Sequence, residues 1–163
     1  MSQTILITGC NRGIGLEMAR QWAARGEQVI GVCRRRSAAL DALGITVIEG
    51  IDLTQAEDVQ RLRHELEDRP LESLFNNAGI MRDEHLGAMD FATIQEQFEA
   101  NAIAPLRVVH ALLQGLNPAA KIGLMTSRMG SIADNDSGGR YGYRVSKAGL
   151  NAAGKSLAED LKS

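Results

Sequence analysis

Tyr143 and Lys147 stand four residues apart in a stretch with helical patterning, so their side chains share one face. A phenol with a free pKa near 10 is a poor acid at neutral pH, but a neighbouring ammonium stabilises the phenolate and lowers that value. A shift of about 3 units takes roughly 4 kcal/mol of differential stabilisation, which one close charge in a water-poor cleft can supply. The pair is suited to giving a proton to an oxygen that is gaining negative charge. Ordinary helix surfaces carry the same spacing, so the pair needs support from elsewhere in the chain.

That support begins near the N-terminus. Ile5-Leu6-Ile7 reads as a strand and runs straight into Thr8-Gly9-Cys10-Asn11-Arg12-Gly13-Ile14-Gly15, ahead of a helical segment. Glycines there permit a tight turn, a close backbone approach to a pyrophosphate and packing of the helix on the strand. Backbone N–H groups at the helix start then face the phosphate charge. Gly9, Asn11, Arg12, Gly13, Ile14 and Gly15 are thus a candidate dinucleotide loop, with a purely structural turn as the alternative.

In an NAD site an acidic residue about 20 positions past the loop binds the ribose 2′-hydroxyl. Here the second apolar run, 29–32, leads through Cys33 into Arg34-Arg35-Arg36. A guanidinium holds a 2′-phosphate with two parallel hydrogen bonds and gains little from a hydroxyl. Arg34, directly after the strand end, and Arg12 within the loop therefore point to NADP(H) over NAD(H). A solvated basic turn is the alternative.

The elements that would position these groups follow from the apolar pattern. Runs at 5–7, 29–32, 45–48, 71–75 and 121–125 are near-continuously apolar, as parallel strands covered on both faces are. Amphipathic segments alternate with them. The first puts Ile14, Met18 and Trp22 on one stripe. Thr54-Gln55-Ala56-Glu57 reads as a capping box opening a helix with Val59, Leu62 and Leu66 inward. Asp90 caps another that buries Phe91, Ile94 and Phe98 and breaks near Pro105. The last helix covers 141–161, with Leu150, Gly154, Leu157 and Leu161 on one face; 134–139 is the loop before it. Such alternation predicts an α/β fold, a three-layer Rossmann domain over residues 1–163 with a doubly wound parallel sheet in the order 3-2-1-4-5.

The spacing Thr8-Gly9 to Gly15, then Asn76-Asn77-Ala78-Gly79 right after the fourth run, then Tyr143 with Lys147, resembles the short-chain dehydrogenase/reductase family in order and type. Thr126 to Ile132 followed by Tyr143 to Lys147 is most similar to the C-factor and sniffer-type carbonyl reductase branch, and the likeness covers essentially the whole chain. The resemblance implies hydride transfer between a nicotinamide and a small carbonyl or alcohol substrate. It implies that Tyr143 gives the proton, Lys147 tunes it and holds the ribose, Ser127 polarises the carbonyl and Asn101 supports the proton path. Ser131 is a fallback for Ser127. It further implies that Asp52 and Leu53 lie by the adenine, and that Asn77, Ala78 and Gly79 lie beside the cofactor, as do Tyr143 and Lys147. A helix-start carboxylate for Asp52, a turn at Asn76–Gly79 and a polar helix residue for Asn101 are the plainer alternatives.

Family members carry a sixth and a seventh strand and a substrate lid beyond the last helix. This sequence of 163 residues reads as C-terminally truncated relative to them, ending at Leu161-Lys162-Ser163. Two alternatives to an enzyme follow: a dinucleotide-binding or signalling module without turnover, or an inactive fragment of such an enzyme. The family habit implies a homodimer through helices, where Ala148, Ala152, Ala153 and Gly154 permit close approach; helix propensity explains the same residues.

Bulk properties bound the rest. With 44% apolar residues, 23% charged residues and a formal net charge of −2, the chain has no electrostatic footprint for nucleic acid. It has no apolar run near the roughly 20 residues that span a bilayer, and no evident signal peptide, so a cytoplasmic location is expected. Cys10 and Cys33 make no metal spacing and read as two reduced thiols, near one another if their strands are neighbours. His64, His85 and His110 are too scattered for a metal site.

Overall fold

The computed structural model describes residues 2–67 and 69–162; Met1, Asp68 and Ser163, the expected terminal residue, lie outside the described residues. The chain forms two compact units, Met1–Ala78 with Arg107–Met125 and Gly79–Leu106 with Thr126–Ser163.

The first unit holds the sheet. Strands β1 (Thr4–Thr8), β2 (Gln28–Cys33), β3 (Thr46–Glu49), β4 (Leu71–Asn76) and β5 (Leu116–Leu124) are all parallel, in the order β3-β2-β1-β4-β5. β1 is central, and its Ile5, Leu6 and Ile7 are fully buried, which is why that run is continuously apolar. The winding direction reverses between β1 and β4. In open α/β sheets, ligands bind beyond the carboxyl ends of the strands at that point. Here those ends lead into Gly9 and Asn77.

Helix α1 (Gly13–Ala24) packs Leu16, Met18 and Trp22 against Ile5, Ile7 and Val29, and the Trp22 ring lies 6.3 Å from that of Phe75. Ile14 does not join this stripe: it is 62% exposed, while its neighbour Gly15 is the buried residue of that turn. A four-residue helix, α2 (Ala38–Asp41), is too short to leave a periodic pattern; Ser37 caps it. Helix α3 (Ala56–Leu66) buries Val59, Leu62 and Leu66 as the pattern predicts.

The expected capping box at Thr54 does not form. Gln55 is the cap residue, and both the N–H and the hydroxyl of Thr54 donate to Asp52 Oδ1, at 3.0 and 2.7 Å. Bonded back to Asp52 through both its N–H and its hydroxyl, Thr54 belongs to a turn that ends one residue ahead of the cap position. Asp58, in the first turn of α3, accepts the Asp52 N–H at 2.8 Å instead.

β5 starts five residues ahead of the predicted run. Its ladder jumps from Leu71–Leu116 to Ser73–Lys121, a bulge around Pro118, which has no N–H to give. Pro118 is tolerated because β5 is an edge of the sheet among the described residues.

The second unit is helical. Helix α4 (Phe91–Phe98) is capped by Asp90, whose carboxylate accepts from the Ala92 and Thr93 N–H groups at 2.9 and 3.2 Å. A π-helical segment (Glu99–Ile103) follows and continues into α5 (Ala104–Leu112), which leads back to the first unit. The predicted break is thus a widened turn rather than a kink. The Ala104 N–H bonds the Glu99 carbonyl five residues back, and Pro105 offers no N–H to the carbonyl of Asn101. Phe91, expected inside, is 71% exposed: it sits one turn before the packed part of the face, where Gln97 is fully buried and Ile94 and Phe98 half-buried.

A 3-10 turn (Arg128–Gly130) and helix α6 (Tyr141–Asp160) complete the second unit. α6 buries Gly142, Ser146, Lys147 and Leu150, in its first half. The expected apolar face beyond Leu150 is weaker, with Gly154 and Leu157 half-buried and Leu161 43% exposed. No helix among the described residues is long and apolar enough to cross a membrane.

Candidate active site

In the first unit the ends of β1 and β4 are stitched together. The Asn77 side-chain amide donates to the Thr8 and Gly9 carbonyls, both at 3.1 Å, and the N–H groups of Asn77 and Ala78 donate to the Thr8 hydroxyl at 3.1 Å. Gly9 has φ +66°, and a Cβ there would stand 2.8 Å from the Ala78 Cα. A Cβ at Gly15 would lie 2.4 Å from Asn77 Nδ2 and from the Gly9 carbonyl oxygen. Both positions therefore exclude any side chain.

The opening of α1 is different. The residue at its start, Arg12, makes no side-chain cap, the first turn holds no acid, and a Cβ at Gly13 would meet open space. Unpartnered N–H groups of a helix start, with room in front of them, fit a pyrophosphate. Asn11 lies just before; its carbonyl accepts from the Ser37 hydroxyl at 2.7 Å, while Ser37 Oγ takes the Leu40 N–H at 3.2 Å. Ser37 was not legible as a loop anchor; its only signal is a serine standing just ahead of Ala38-Ala39-Leu40.

The three arginines after β2 have different fates. Arg36 is committed to the fold: it donates to the Val47 carbonyl at 2.9 Å and pairs with Asp41 at 3.3 Å and Glu49 at 3.4 Å. Arg34 is 70% exposed and lies 4.0 Å from Asp52. Arg35 is exposed. The Asp52–Thr54 turn is fixed by Arg107, which donates to the Leu53 and Thr54 carbonyls at 3.1 Å each.

Cys10 and Cys33 are buried free thiols at the ends of β1 and β2. Burial above all, and then the neighbouring Cys33, push the Cys10 thiol up to about 12. Cys33 is raised as well, first by burial and then by Glu49. Neither offers thiolate at neutral pH.

In the second unit, Lys147 is 3% exposed, and its Nζ lies 5.7 Å from the centroid of the Tyr143 ring. Burial lowers the Lys147 pKa, because desolvation disfavours the ammonium. A cation at that distance from an aromatic face is attracted to it. Asn101, in the π segment, is fully buried: Oδ1 accepts the Ile80 N–H at 2.8 Å, and Nδ2 donates to the Ile80 carbonyl at 2.7 Å and to Ser146 Oγ at 3.0 Å. The Ser146 hydroxyl in turn donates to the Tyr143 carbonyl at 2.9 Å. A Cβ at Gly79 would stand 2.9 Å from Asn101 Oδ1 and 3.6 Å from Lys147 Nζ, so these three residues converge.

Ser127 is half-buried at the start of the 3-10 turn, where its hydroxyl oxygen accepts the Met129 N–H at 3.2 Å. That leaves its hydrogen free to be donated. The turn rests on α6: a Cβ at Gly130 would lie 2.9 Å from the Lys147 carbonyl. Ser131 is exposed past the turn. Three buried polar residues, Glu84, Gln97 and Ser146, were not legible in the sequence, because their partners lie in other elements.

A family model described as short chain dehydrogenase matches residues 3–163. The 1-hydroxy-2-glutathionyl-2-methyl-3-butene dehydrogenase of Rhodococcus sp. (strain AD45) is 42% identical over 160 residues, covering 97% of this chain and 71% of that one. Among solved structures, a putative short-chain dehydrogenase/reductase from Burkholderia multivorans with bound NADP superposes with TM-score 0.91 at 35% identity, over 99% of this chain and 74% of that one. The carbonyl reductase Sniffer of D. melanogaster does so with TM-score 0.87 at 33% identity, over 99% and 76%. The match spans 71% of the Rhodococcus dehydrogenase, and matches over 99% of this chain to other curated relatives span 61 to 64% of their length.

Proposed function

The chain belongs to the short-chain dehydrogenase family, and on that premise we propose that it is an NADP(H)-dependent oxidoreductase that interconverts a small carbonyl compound and its alcohol. The observation that carries this reading is the buried Lys147 ammonium beside the Tyr143 ring, with Asn101 and Gly79 converging on the same lysine.

Gly9, Asn11, Arg12, Gly13, Ile14 and Gly15 would hold the pyrophosphate on the uncapped start of α1. Arg34, with Arg12, would pair the 2′-phosphate. Asp52 and Leu53 would border the adenine, and Asn77, Ala78 and Gly79 would leave room for the rest of the cofactor. The exposure of Arg34 and the commitment of Arg36 to the fold support assigning that role to Arg34. The Burkholderia multivorans relative with bound NADP supports the choice of cofactor.

When bound, the nicotinamide supplies or accepts the hydride at the carbonyl carbon. Tyr143 gives its phenolic proton to the oxygen as it becomes an alkoxide, and Lys147 stabilises the phenolate left behind. Ser127 donates its hydroxyl hydrogen to the same oxygen, where charge develops. Asn101 holds the widened turn open beside Lys147 and supports the resupply of the proton. The reading also carries a homodimer and a cytoplasmic setting, both resting on family habit and on the sequence.

The test is a titration with NADPH and with NADH followed by nicotinamide fluorescence, together with reductase assays over a panel of aldehydes and ketones beside Tyr143→Phe. Tighter binding of NADPH and turnover that disappears in Tyr143→Phe are expected. Tight NADPH binding with no Tyr143-dependent turnover would replace the enzyme with a binding module.

A further inference from the structure

Glu84 is a carboxylate 3% exposed to solvent, in the segment between β4 and α4, and the chemistry above does not use it. Its Oε1 accepts from the Thr93 hydroxyl at 2.9 Å and from the Gln97 amide, both on α4. Its Oε2 accepts the Gly142 N–H at 3.2 Å, and its own carbonyl accepts the Arg140 N–H at 2.8 Å. Gly142 and Arg140 are the start of α6, one residue and three residues before Tyr143.

α6 has no cap of its own. Arg140 occupies the cap position in the left-handed region, φ +51°, makes no side-chain cap, and is followed by no acid in the first turn. A helix start lacking a cap frays, and a carboxylate placed there both satisfies an N–H and opposes the positive end of the helix dipole. Asp83 holds the Arg140 side chain at 3.3 Å in the same segment. The fit is close: a Cβ on Gly142 would stand 2.4 Å from Gln97 Nε2, 2.9 Å from the Ile94 Cα and 3.1 Å from Glu84 Oε1.

We propose that Glu84 is a positioning residue: clamped by Thr93 and Gln97, it caps α6 from outside and so fixes where the Tyr143 phenol stands relative to Lys147. This rests on Tyr143 being the proton donor. Lys147, a turn deeper, keeps its place by its own burial, so losing the cap frees the first turn and shifts the phenol against the ammonium.

The experiment compares Glu84→Ala and Glu84→Gln with the unaltered chain by amide hydrogen exchange, by NADPH affinity and by turnover with NADPH and 4-nitrobenzaldehyde. In Glu84→Ala, exchange at Gly142 should rise at least about tenfold while that at Leu150 stays within about twofold. The kcat should fall at least about tenfold with the NADPH Kd within about twofold, since misplacement of a reacting group acts on chemistry rather than on binding. Glu84→Gln keeps a neutral acceptor and should recover turnover to within about threefold of the unaltered chain.

Unchanged exchange at Gly142 in Glu84→Ala overturns the proposal, as does a parallel loss of kcat and NADPH affinity that glutamine does not rescue. If Glu84→Ala fails to fold, Glu84→Met, of similar length but with no oxygen to accept the Gly142 N–H, decides: faster exchange confined to the first turn of α6 supports the cap, and unchanged exchange refutes it. Absence of turnover in the unaltered chain sinks the oxidoreductase reading alone, and the exchange comparison then decides the cap.

Discussion

Asn101 in the π segment donates a hydrogen bond of 3.0 Å to Ser146 on α6, and both side chains are fully buried. The same amide closes a two-way bond with the Ile80 backbone. Asn101→Leu would leave the Ile80 N–H and carbonyl and the Ser146 hydroxyl short of a partner. At about 1–3 kcal/mol for each buried group left unmade, urea unfolding should show a loss of at least about 2 kcal/mol. A loss within error of zero would show that the π segment is not held by this residue.

On the proposed reading, Tyr143→Phe and Lys147→Met remove the acid and its neighbouring charge. Each should lower turnover by at least about 100-fold, in the range expected of a positioned acid. Tyr143→Phe should leave NADPH affinity within a few-fold. Measuring kcat and Kd separately distinguishes lost chemistry from lost binding.

Gly9→Ala places a methyl 2.8 Å from the Ala78 Cα in a backbone conformation that L side chains rarely adopt. The strain cannot be relieved by a rotamer, because the obstacle is backbone. Overpacking of this kind costs about 1–3 kcal/mol, so denaturant midpoints should fall, and NADPH binding should be lost with the shape of the loop. A variant as stable and as tight-binding as the unaltered chain would show that the β1–β4 crevice is not the cradle.

If Arg34 holds the 2′-phosphate as proposed, Arg34→Ser should lower the preference for NADPH over NADH by at least about tenfold, since it would remove a charge-assisted bond and leave the rest of the loop unaltered. Raising the salt concentration should weaken NADPH binding to the unaltered chain more than to the variant, because the guanidinium is largely exposed and its field is screened. Arg36→Ser, by contrast, should lower stability through its lost bonds to Val47, Asp41 and Glu49.

The Cys10 thiol is held up to about 12, mainly by burial, against an ordinary value of 9.0. Between those two pH values the folded chain keeps a proton that the unfolded chain has lost. The native state therefore binds more protons there, and the Cys10 contribution to stability declines as pH rises from 9.0 toward about 12. Cys10→Ala should flatten that part of the stability–pH curve. At pH 8, a thiol-reactive disulfide reagent should label Cys10 slowly in the folded chain and rapidly in denaturant.

Local pattern alone determined much of this protein. β1 and β2 lie where continuous apolar runs place them, Val59, Leu62 and Leu66 face inward at helical spacing, and Asp90 caps the helix it precedes. Gly9 and Gly15 were legible as close-packed turn glycines from their spacing between a strand and a helix, whereas Asn77 came only from the family resemblance. What only the tertiary structure decided concerns partners distant along the chain. Glu84 meets Gly142 across 58 residues, and Asn101 meets Ser146 across 45. Ile14 and Phe91 carry apolar side chains at helical spacing yet stand exposed, on first turns whose other residues, Gly15 and Thr93, are the ones that meet neighbouring segments. Periodicity tells which face of an element is apolar. Whether that face is covered, and whether a buried polar group is satisfied, depends on what another element brings to it.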